Sequence, residues 1–148
     1  MPTAQTDQAR VGLPRRLGAI LYDGLICLGL VFGVAIVATA LTGPDPGPVA
    51  RVLLQTALAG TPLAYFQVSW TRGGQTIGMR AWRIRLAAAG TEAVPWDRAL
   101  LRALTALLSW GAAGLGFLWA LADPERLAWH DRLSGTRLVR LPPASKAV

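Results

Sequence analysis

The sequence predicts an all-α membrane protein: a transmembrane helical hairpin plus a third hydrophobic segment, spanning or re-entrant, with a small β-hairpin-like cytoplasmic loop. Three observations carry that prediction. Of the 148 residues, 53% are hydrophobic and only 16% are charged, and the mean hydropathy is +0.40, too apolar for an ordinary soluble domain. Three apolar runs, at about 17–41, 52–70 and 103–122, are each long enough to cross about 30 Å of hydrocarbon at about 1.5 Å per helical residue. The basic residues, all arginine except Lys146, stand outside those runs. The three runs consume nearly half the chain and leave no room for a separate soluble catalytic module.

A net charge of +7 raises nucleic acid as a partner, but no basic helix with interleaved stacking aromatics is present, so that class is excluded. Arginines flanking apolar runs fit short cytoplasmic loops held against an anionic leaflet instead. The single cysteine, Cys27, lies inside an apolar run, where it can form neither an internal disulfide nor a thiolate cluster and packs as a small residue. Scarce lysine beside abundant Ala, Arg, Gly and Leu reads as a GC-rich bacterial genome, which makes the host membrane the cytoplasmic (inner) one.

Residues 1–14 form a polar cytoplasmic tail with Pro2 and Pro14, residues 15–141 the membrane domain, and residues 142–148 a second tail. Arg15 and Arg16 followed by an apolar stretch imitate a signal peptide, but the run to Leu41 is too long for one and is interrupted by Asp23. Three prolines and two glycines in Thr42-Gly43-Pro44-Asp45-Pro46-Gly47-Pro48 end the first helix in a tight connection. The second run is uncharged and holds Pro62, which predicts a kink. Period-two alternation in Trp82-Arg83-Ile84-Arg85-Leu86 reads as a strand. A turn near Gly90 and a return through Ala93, Val94 and Trp96 would complete a hairpin, to which the strand-like Thr136–Leu141 could add. The third run carries Gly111, Gly114 and Gly116, which permit either a close-packed crossing or a broken, re-entrant hairpin. Basic residues in the amino-terminal tail and the middle loop put both on the cytoplasmic side. Arg126, Arg132, Arg137, Arg140 and Lys146 join them there only if the third run re-enters, and this favours the re-entrant form.

Asp23 is the most informative single residue, because a carboxylate inside a transmembrane helix costs up to about 2.5–3.5 kcal/mol. Arg16 lies on the same helix face but leans toward the helix amino terminus, so Arg102, Arg132 or a polar cavity are the expected partners. The carboxylate serves either a buried structural pair or an ion or proton site. A second polar cluster follows the third run: Asp123, Glu125, Arg126, His130, Asp131, Arg132 and Ser134. His130 could titrate near neutral pH, but a hydrogen-bonded structural turn is the favoured account of it and Asp131. Asp123, Glu125, His130 and Asp131 lack a recognised metal spacing, and Ser134 lacks a nucleophile setting, so neither metal, cofactor nor enzymatic chemistry is expected. The stretch Arg72–Arg80, with Gly73, Gly74 and Gly78, does not match a P-loop and reads as a tight surface turn. Six tryptophans near segment ends suit the boundary between lipid and water.

These elements together resemble the RDD family of small bacterial membrane proteins, over roughly Leu13 to Leu141. Arg16-Leu17-Gly18-Ala19-Ile20-Leu21-Tyr22-Asp23 matches its first motif, with Arg15 an extra arginine beside Arg16. Gly74-Gln75-Thr76-Ile77-Gly78-Met79-Arg80 matches the middle one. His130-Asp131-Arg132-Leu133-Ser134-Gly135-Thr136 matches the last, with serine at 134 where alanine is more usual. The resemblance implies that Arg16, Asp23 and Asp131 are the signature residues, and it implies a role in transport, including cation and proton exchange; the residues themselves add Arg102, His130, Arg132, Asp123, Gly74, Gln75 and Gly78 in support. Two functional expectations follow. One is a transporter or transporter subunit, too small to enclose a pathway without forming a homo-oligomer, in which Asp23 binds a proton or small cation. The other is a non-catalytic membrane scaffold or assembly factor, partnered by other membrane proteins, whose Arg and Asp residues hold the fold.

Overall fold

The computed structural model describes residues 11–88, 93–112, 114–125 and 127–142, apart from the Phe117 side chain. The first apolar run lies within helix α1, Leu13–Thr42, which begins ahead of the run because proline stands in its first turn, where a fixed φ and a missing N–H do no harm. It stops at Gly43, whose N–H reaches the Thr39 carbonyl at 2.8 Å. After the proline-rich connection, α2, Pro48–Gly73, runs back along α1 and continues through Pro62 without interruption. Among the described residues α1 is the one helix long and apolar enough to cross a membrane by length and composition, and none of its most apolar window is buried.

A short helix α3, Ile77–Ala81, follows, capped by Thr76, whose hydroxyl accepts the Met79 N–H at 3.1 Å. Trp82 and Arg83 are a turn and not the start of the strand; Arg83 takes a positive φ of 51°. The strand β1 is Ile84–Ala88. Its partner differs from the expected return through Ala93, Val94 and Trp96. Ala93 and Val94 are not strand, Trp96 opens a helix, and the turn expected at Gly90 lies outside the described residues. β1 pairs instead, antiparallel, with β2, Thr136–Arg140, in the register Ile84 to Arg140 and Ala88 to Thr136. Ile84, Leu86 and Leu138 face the core while Arg85 and Arg137 point away from it.

The third run does not form one helix. α4, Trp96–Gly111, leads out and α5, Leu115–Ala122, leads back. Gly114 makes the reversal with a φ of 80°, a conformation that costs a residue with a β-carbon. Gly116 lets the two arms close: a β-carbon there would overlap the Ser109 side chain and come within 3.1 Å of the Trp129 ring. From Arg102 to Gly111 the chain advances about 14 Å and α5 returns about 12 Å, which brings helix α6, Trp129–Ser134, alongside the first half of α4. The segment folds back on itself instead of running as one straight helix.

The buried core lies entirely at one end of the hairpin, where Val11, Ala19, Trp70, Met79, Ile84, Leu86, Val94, Ala99, Ala103 and Leu138 pack together. Beyond it, α1 exposes Leu25, Leu28, Phe32, Ile36, Val37 and Leu41. The molecule is therefore a compact polar-faced layer with a bare apolar hairpin and a shorter apolar loop rising from it, the architecture of an all-α membrane protein with a small two-stranded sheet. Trp70 is buried in the core instead of at a lipid boundary, whereas Trp96 and Trp110 are exposed. Lys146, Arg126 and the residues of the amino-terminal tail up to Arg10 lie outside the described residues, while Val11, at the tail's end, is core.

The fold-back gives a paired test. Gly116→Ala should lower stability by about 1–3 kcal/mol through overpacking. Gly111→Ala, which meets nothing within 4 Å, should be neutral or raise stability by up to about 1 kcal/mol. Thermal melts of the two variants in detergent, followed by tryptophan fluorescence, check the opposite signs.

Candidate functional site

Of three carboxylates buried among the described residues, Asp23, Asp123 and Asp131, Asp23 and Asp131 tie α1 to the compact layer, each met by different chemistry. Asp23, on α1, is 3% exposed. Its Oδ1 accepts the Tyr65 hydroxyl at 2.7 Å and the Gly78 N–H at 2.8 Å, and its Oδ2 accepts the Thr76 hydroxyl at 2.5 Å. The two hydroxyls are themselves acceptors: Tyr65 from the Ile77 N–H at 3.1 Å and Thr76 from the Met79 N–H at 3.1 Å. Three successive N–H groups of the first turn of α3 thus end on one carboxylate, one directly and two through a hydroxyl. Those N–H groups have no partner within their own helix, and Asp23 supplies it from 53 to 55 residues away.

The Gly-Gln-Thr-x-Gly motif builds this socket. Gly74 caps α2, its N–H on the Trp70 carbonyl and its own carbonyl accepting from Leu86 N at 2.7 Å. Gln75 donates through Nε2 to the Ile84 carbonyl at 2.7 Å, tying the motif to β1. Gly78 is the contact point with α1: a β-carbon there would overlap the Ala19 carbonyl oxygen and stand 2.8 Å from Asp23 Cγ. The stretch is an interior joint, with Gly74, Thr76 and Gly78 all buried, and not the surface turn that its glycines suggest.

Arg102 and Arg132, expected as partners of Asp23, are engaged elsewhere. Asp131, on α6, is 1% exposed. Its Oδ2 accepts from Arg16 Nη1 at 2.9 Å and from the Ala128 N–H at 3.0 Å, and its Oδ1 accepts from Arg102 Nη1 at 2.5 Å. Arg102 Nη1 also donates to Thr136 Oγ1 at 2.8 Å, and its guanidinium carbon lies 5.3 Å from the centroid of the Trp70 ring. Because Ser134 Oγ donates to the His130 carbonyl, the contact between Ser134 and Thr136 at 2.7 Å makes Thr136 the donor. A chain of donors therefore runs from Arg102 through Thr136 and Ser134 to the start of α6. Asp123 closes the loop before α6, accepting Leu127 N at 2.8 Å and Arg132 Nη2 at 2.5 Å.

The electrostatics follow from this packing. Burial would raise the Asp131 carboxyl, but Arg102, Arg16 and the Ala128 N–H outweigh it and hold the group well below the usual carboxylate range. His130, whose Nε2 stands 3.7 Å from Asp131 Oδ1, is pushed down to about 3 by burial first and then by Arg102 and Arg16. It is neutral at physiological pH and does not titrate near 7 as its type suggests. Asp123, Glu125, His130 and Asp131 do not converge, and among the described residues no group of three His, Cys, Asp or Glu side chains is placed to hold a metal ion.

The profile of the RDD family matches residues 10–135. The chain belongs to the RDD family. Searches of curated proteins and of solved structures return no match. In this RDD protein the signature residues therefore form two separate devices: Arg16 joins Asp131, while Asp23 stands in its own socket. Sequence reasoning named Arg16, Asp23, Asp131, Arg102, His130, Arg132 and Asp123, and the motif glycines. It missed Tyr65 and Thr76 as the partners of Asp23. The signal was present in part: Thr76 precedes a short helix as a capping residue does, whereas Tyr65 is one of several polar residues in the second run.

Two results follow for Asp131. Asp131→Asn leaves two buried guanidiniums facing a neutral amide and should cost about 3–5 kcal/mol, measured by chemical denaturation in detergent. The depressed His130 value has a definite sign as well. Below about pH 6.5 the unfolded chain takes up a proton that the folded one refuses, so stability falls as pH drops toward 4.5. A series of melting temperatures across that window should fall steeply for the wild type and less steeply for His130→Asn.

Proposed function

We propose that this RDD protein is a multi-pass protein of the bacterial cytoplasmic membrane that acts as a non-catalytic scaffold or assembly subunit, its Arg and Asp signature serving to hold the fold. One observation carries the reading: three donors engage both oxygens of the Asp23 carboxylate. An ion site needs oxygens free to exchange ligands. At Asp23 both oxygens are engaged, and the donors belong to a helix end and two hydroxyls whose own acceptor positions are taken.

The membrane placement rests on the bare apolar surface of α1, which only hydrocarbon can cover at little cost, with α2 as the returning span and the α4–α5 loop dipping in from the side of the compact layer. Orientation follows from charge. Arg15, Arg16, Arg72, Arg80, Arg83, Arg85, Arg98, Arg132, Arg137 and Arg140 all lie at the layer end. At the opposite connection Arg51 is neutralised by Asp45 at 3.0 Å. The layer and the amino terminus therefore face the cytoplasm.

A second reading, cation or proton exchange at Asp23, has one observation in its favour. Tyr65, which donates to Asp23, also lines a groove open to the outside of the protein, so a single hydroxyl separates the carboxylate from an exposed surface. In such a reading a homo-oligomer supplies the pathway that the short chain lacks.

One comparison separates the two. Purified wild type and Asp23→Asn are reconstituted in proteoliposomes with an imposed proton gradient and challenged with Na⁺, Li⁺ and K⁺, and both are melted in detergent. The scaffold reading expects no cation-driven collapse with either protein and a lower melting temperature for Asp23→Asn, by about 1–3 kcal/mol of stability, since the amide turns one acceptor into a donor facing donors. Wild-type flux that disappears in the variant would sink it and establish exchange.

A further inference from the structure

At the end of α2 a groove of about 250 Å³ opens between that helix and α3. Ser69 and Arg72 on α2, Gln75 in the connection and Arg80 on α3 give it a polar mouth, and Val68 and Ile77 give it an apolar wall. Neither the Asp23 socket nor the Asp131 network uses these six side chains, Gln75 excepted. We propose that this groove binds the phosphate of an anionic glycerophospholipid headgroup.

Charge is the first argument. Arg72 and Arg80 are both exposed, no acidic residue lines the groove, and neither arginine makes an ion pair among the described residues. Arg80 folds back over the last turn of α2, where its Nη2 stands 3.6 Å from the place a β-carbon on Gly73 would occupy. Two guanidiniums held on one small groove repel each other, and an anion between them removes the repulsion. Guanidinium forks match a phosphate bidentately, and the Ser69 hydroxyl adds a neutral donor of the same reach.

The apolar wall selects a lipid over a free anion. Val68 and Ile77 are 45% and 48% exposed, too apolar to serve an inorganic ion and well suited to the glycerol and first methylenes of an acyl chain. Tyr65, Ser69 and Arg72, spaced by four and three residues, follow one stripe of α2. A lipid seated at Arg72 therefore runs its chain along the same helix toward the hairpin's bare apolar end. The inference rests on the membrane placement above and not on the choice between scaffold and exchange.

The commonplace account is that cations at a helix end merely offset its dipole. It assigns no lipid selectivity. The test melts the full chain, purified in neutral detergent, against phosphatidylglycerol, phosphatidylcholine or inorganic phosphate. Phosphatidylglycerol should raise the melting temperature of the wild type saturably, while the other two should not. In Arg72→Gln/Arg80→Gln the apparent affinity for phosphatidylglycerol should drop about 10-fold or more, the loss of about 1.4 kcal/mol. Arg137→Gln/Arg140→Gln removes the same charge from the sheet and should keep it. Ser69→Leu, which fills the groove and leaves both arginines, should lose it as well, and decides the matter should the double arginine variant fail to fold. The proposal is overturned by equal stabilisation from phosphatidylcholine, by an equal loss in the sheet variant, by undiminished affinity in Ser69→Leu, or by inorganic phosphate reproducing the whole effect. Failure of the membrane placement itself would look different: the protein would stay in the aqueous phase when cell membranes are sedimented.

Discussion

Seven residues separate Arg16 from Asp23, and the rest of the structure depends on that spacing. Seven steps of about 100° return to nearly the same helix face, about 10.5 Å along the axis. The two side chains leave α1 on one side and are caught by different parts of the chain: Arg16 by Asp131, 115 residues later, and Asp23 by the turn that opens α3. Two ties on one face fix both the rotation and the depth of a helix. Close packing of Gly18 against Trp82 and of Ala19 against Gly78 adds to them, and only Ala19 and Asp23 are buried within α1. In hydrocarbon, packing between apolar helices gains little over packing against lipid. Position has to come from the polar ties.

The two carboxylates hold α1 by unlike means, and the difference has consequences. Asp23 is held by neutral donors, two hydroxyls and an amide, so its charge is dispersed over short dipoles that are already oriented by α3. Asp131 is held by two guanidiniums, leaving one positive charge in excess beside a histidine kept neutral by burial and then by the same cations. A buried ionic group of this kind is a poor source of net stability, because desolvation consumes most of the Coulombic gain. It is a good source of uniqueness. α4, α6, β2 and the start of α1 meet only in the arrangement that brings Arg102, Asp131, Thr136 and Arg16 together, and any slip of α4 by a turn would strand a charge.

Much of this was legible in the sequence because hydrophobic runs, alternation and signature motifs are local signals. The three runs, the strand character of 84–86 and 136–140, and the importance of Arg16, Asp23 and Asp131 are all read from neighbours in the chain. What failed was partner choice. A period of two identifies a strand and says nothing of its mate, so β1 is paired naturally with the nearest candidate at 93–96 when its mate is β2, beyond the whole α4–α5 excursion. Asp23 was matched with arginines because charge is the visible complement of charge. Its true partners are hydroxyls and a backbone N–H, which have no charge to announce them. The three glycines of the third run show only that it can break. The reversal itself is decided by the close approach of Gly116 to Ser109, a tertiary contact.

The level of Asp23 along α1 then changes the physical problem it poses. As a carboxylate two turns inside an apolar run it must be compensated against hydrocarbon. In the fold, everything from Leu13 to Asp23 is flanked by the compact layer: Gly18 meets Trp82, Ala19 and Asp23 meet Gly78, and Arg16 meets Asp131. The bare part of α1 begins after Asp23, and the 19 residues from Gly24 to Thr42 extend about 28 Å, close to the hydrocarbon thickness of about 30 Å. The carboxylate therefore marks the end of the bare stretch that faces the compact layer. The apolar residues before it, Leu17, Ile20 and Leu21, belong to the interfacial zone on the side of α1 that the layer does not cover. A charge at that level is hydrated or hydrogen-bonded at small cost, and a helix end that needs acceptors for its N–H groups is a natural neighbour for it. Held by two hydroxyls and a backbone N–H, the carboxylate is the joint by which the compact layer grips α1.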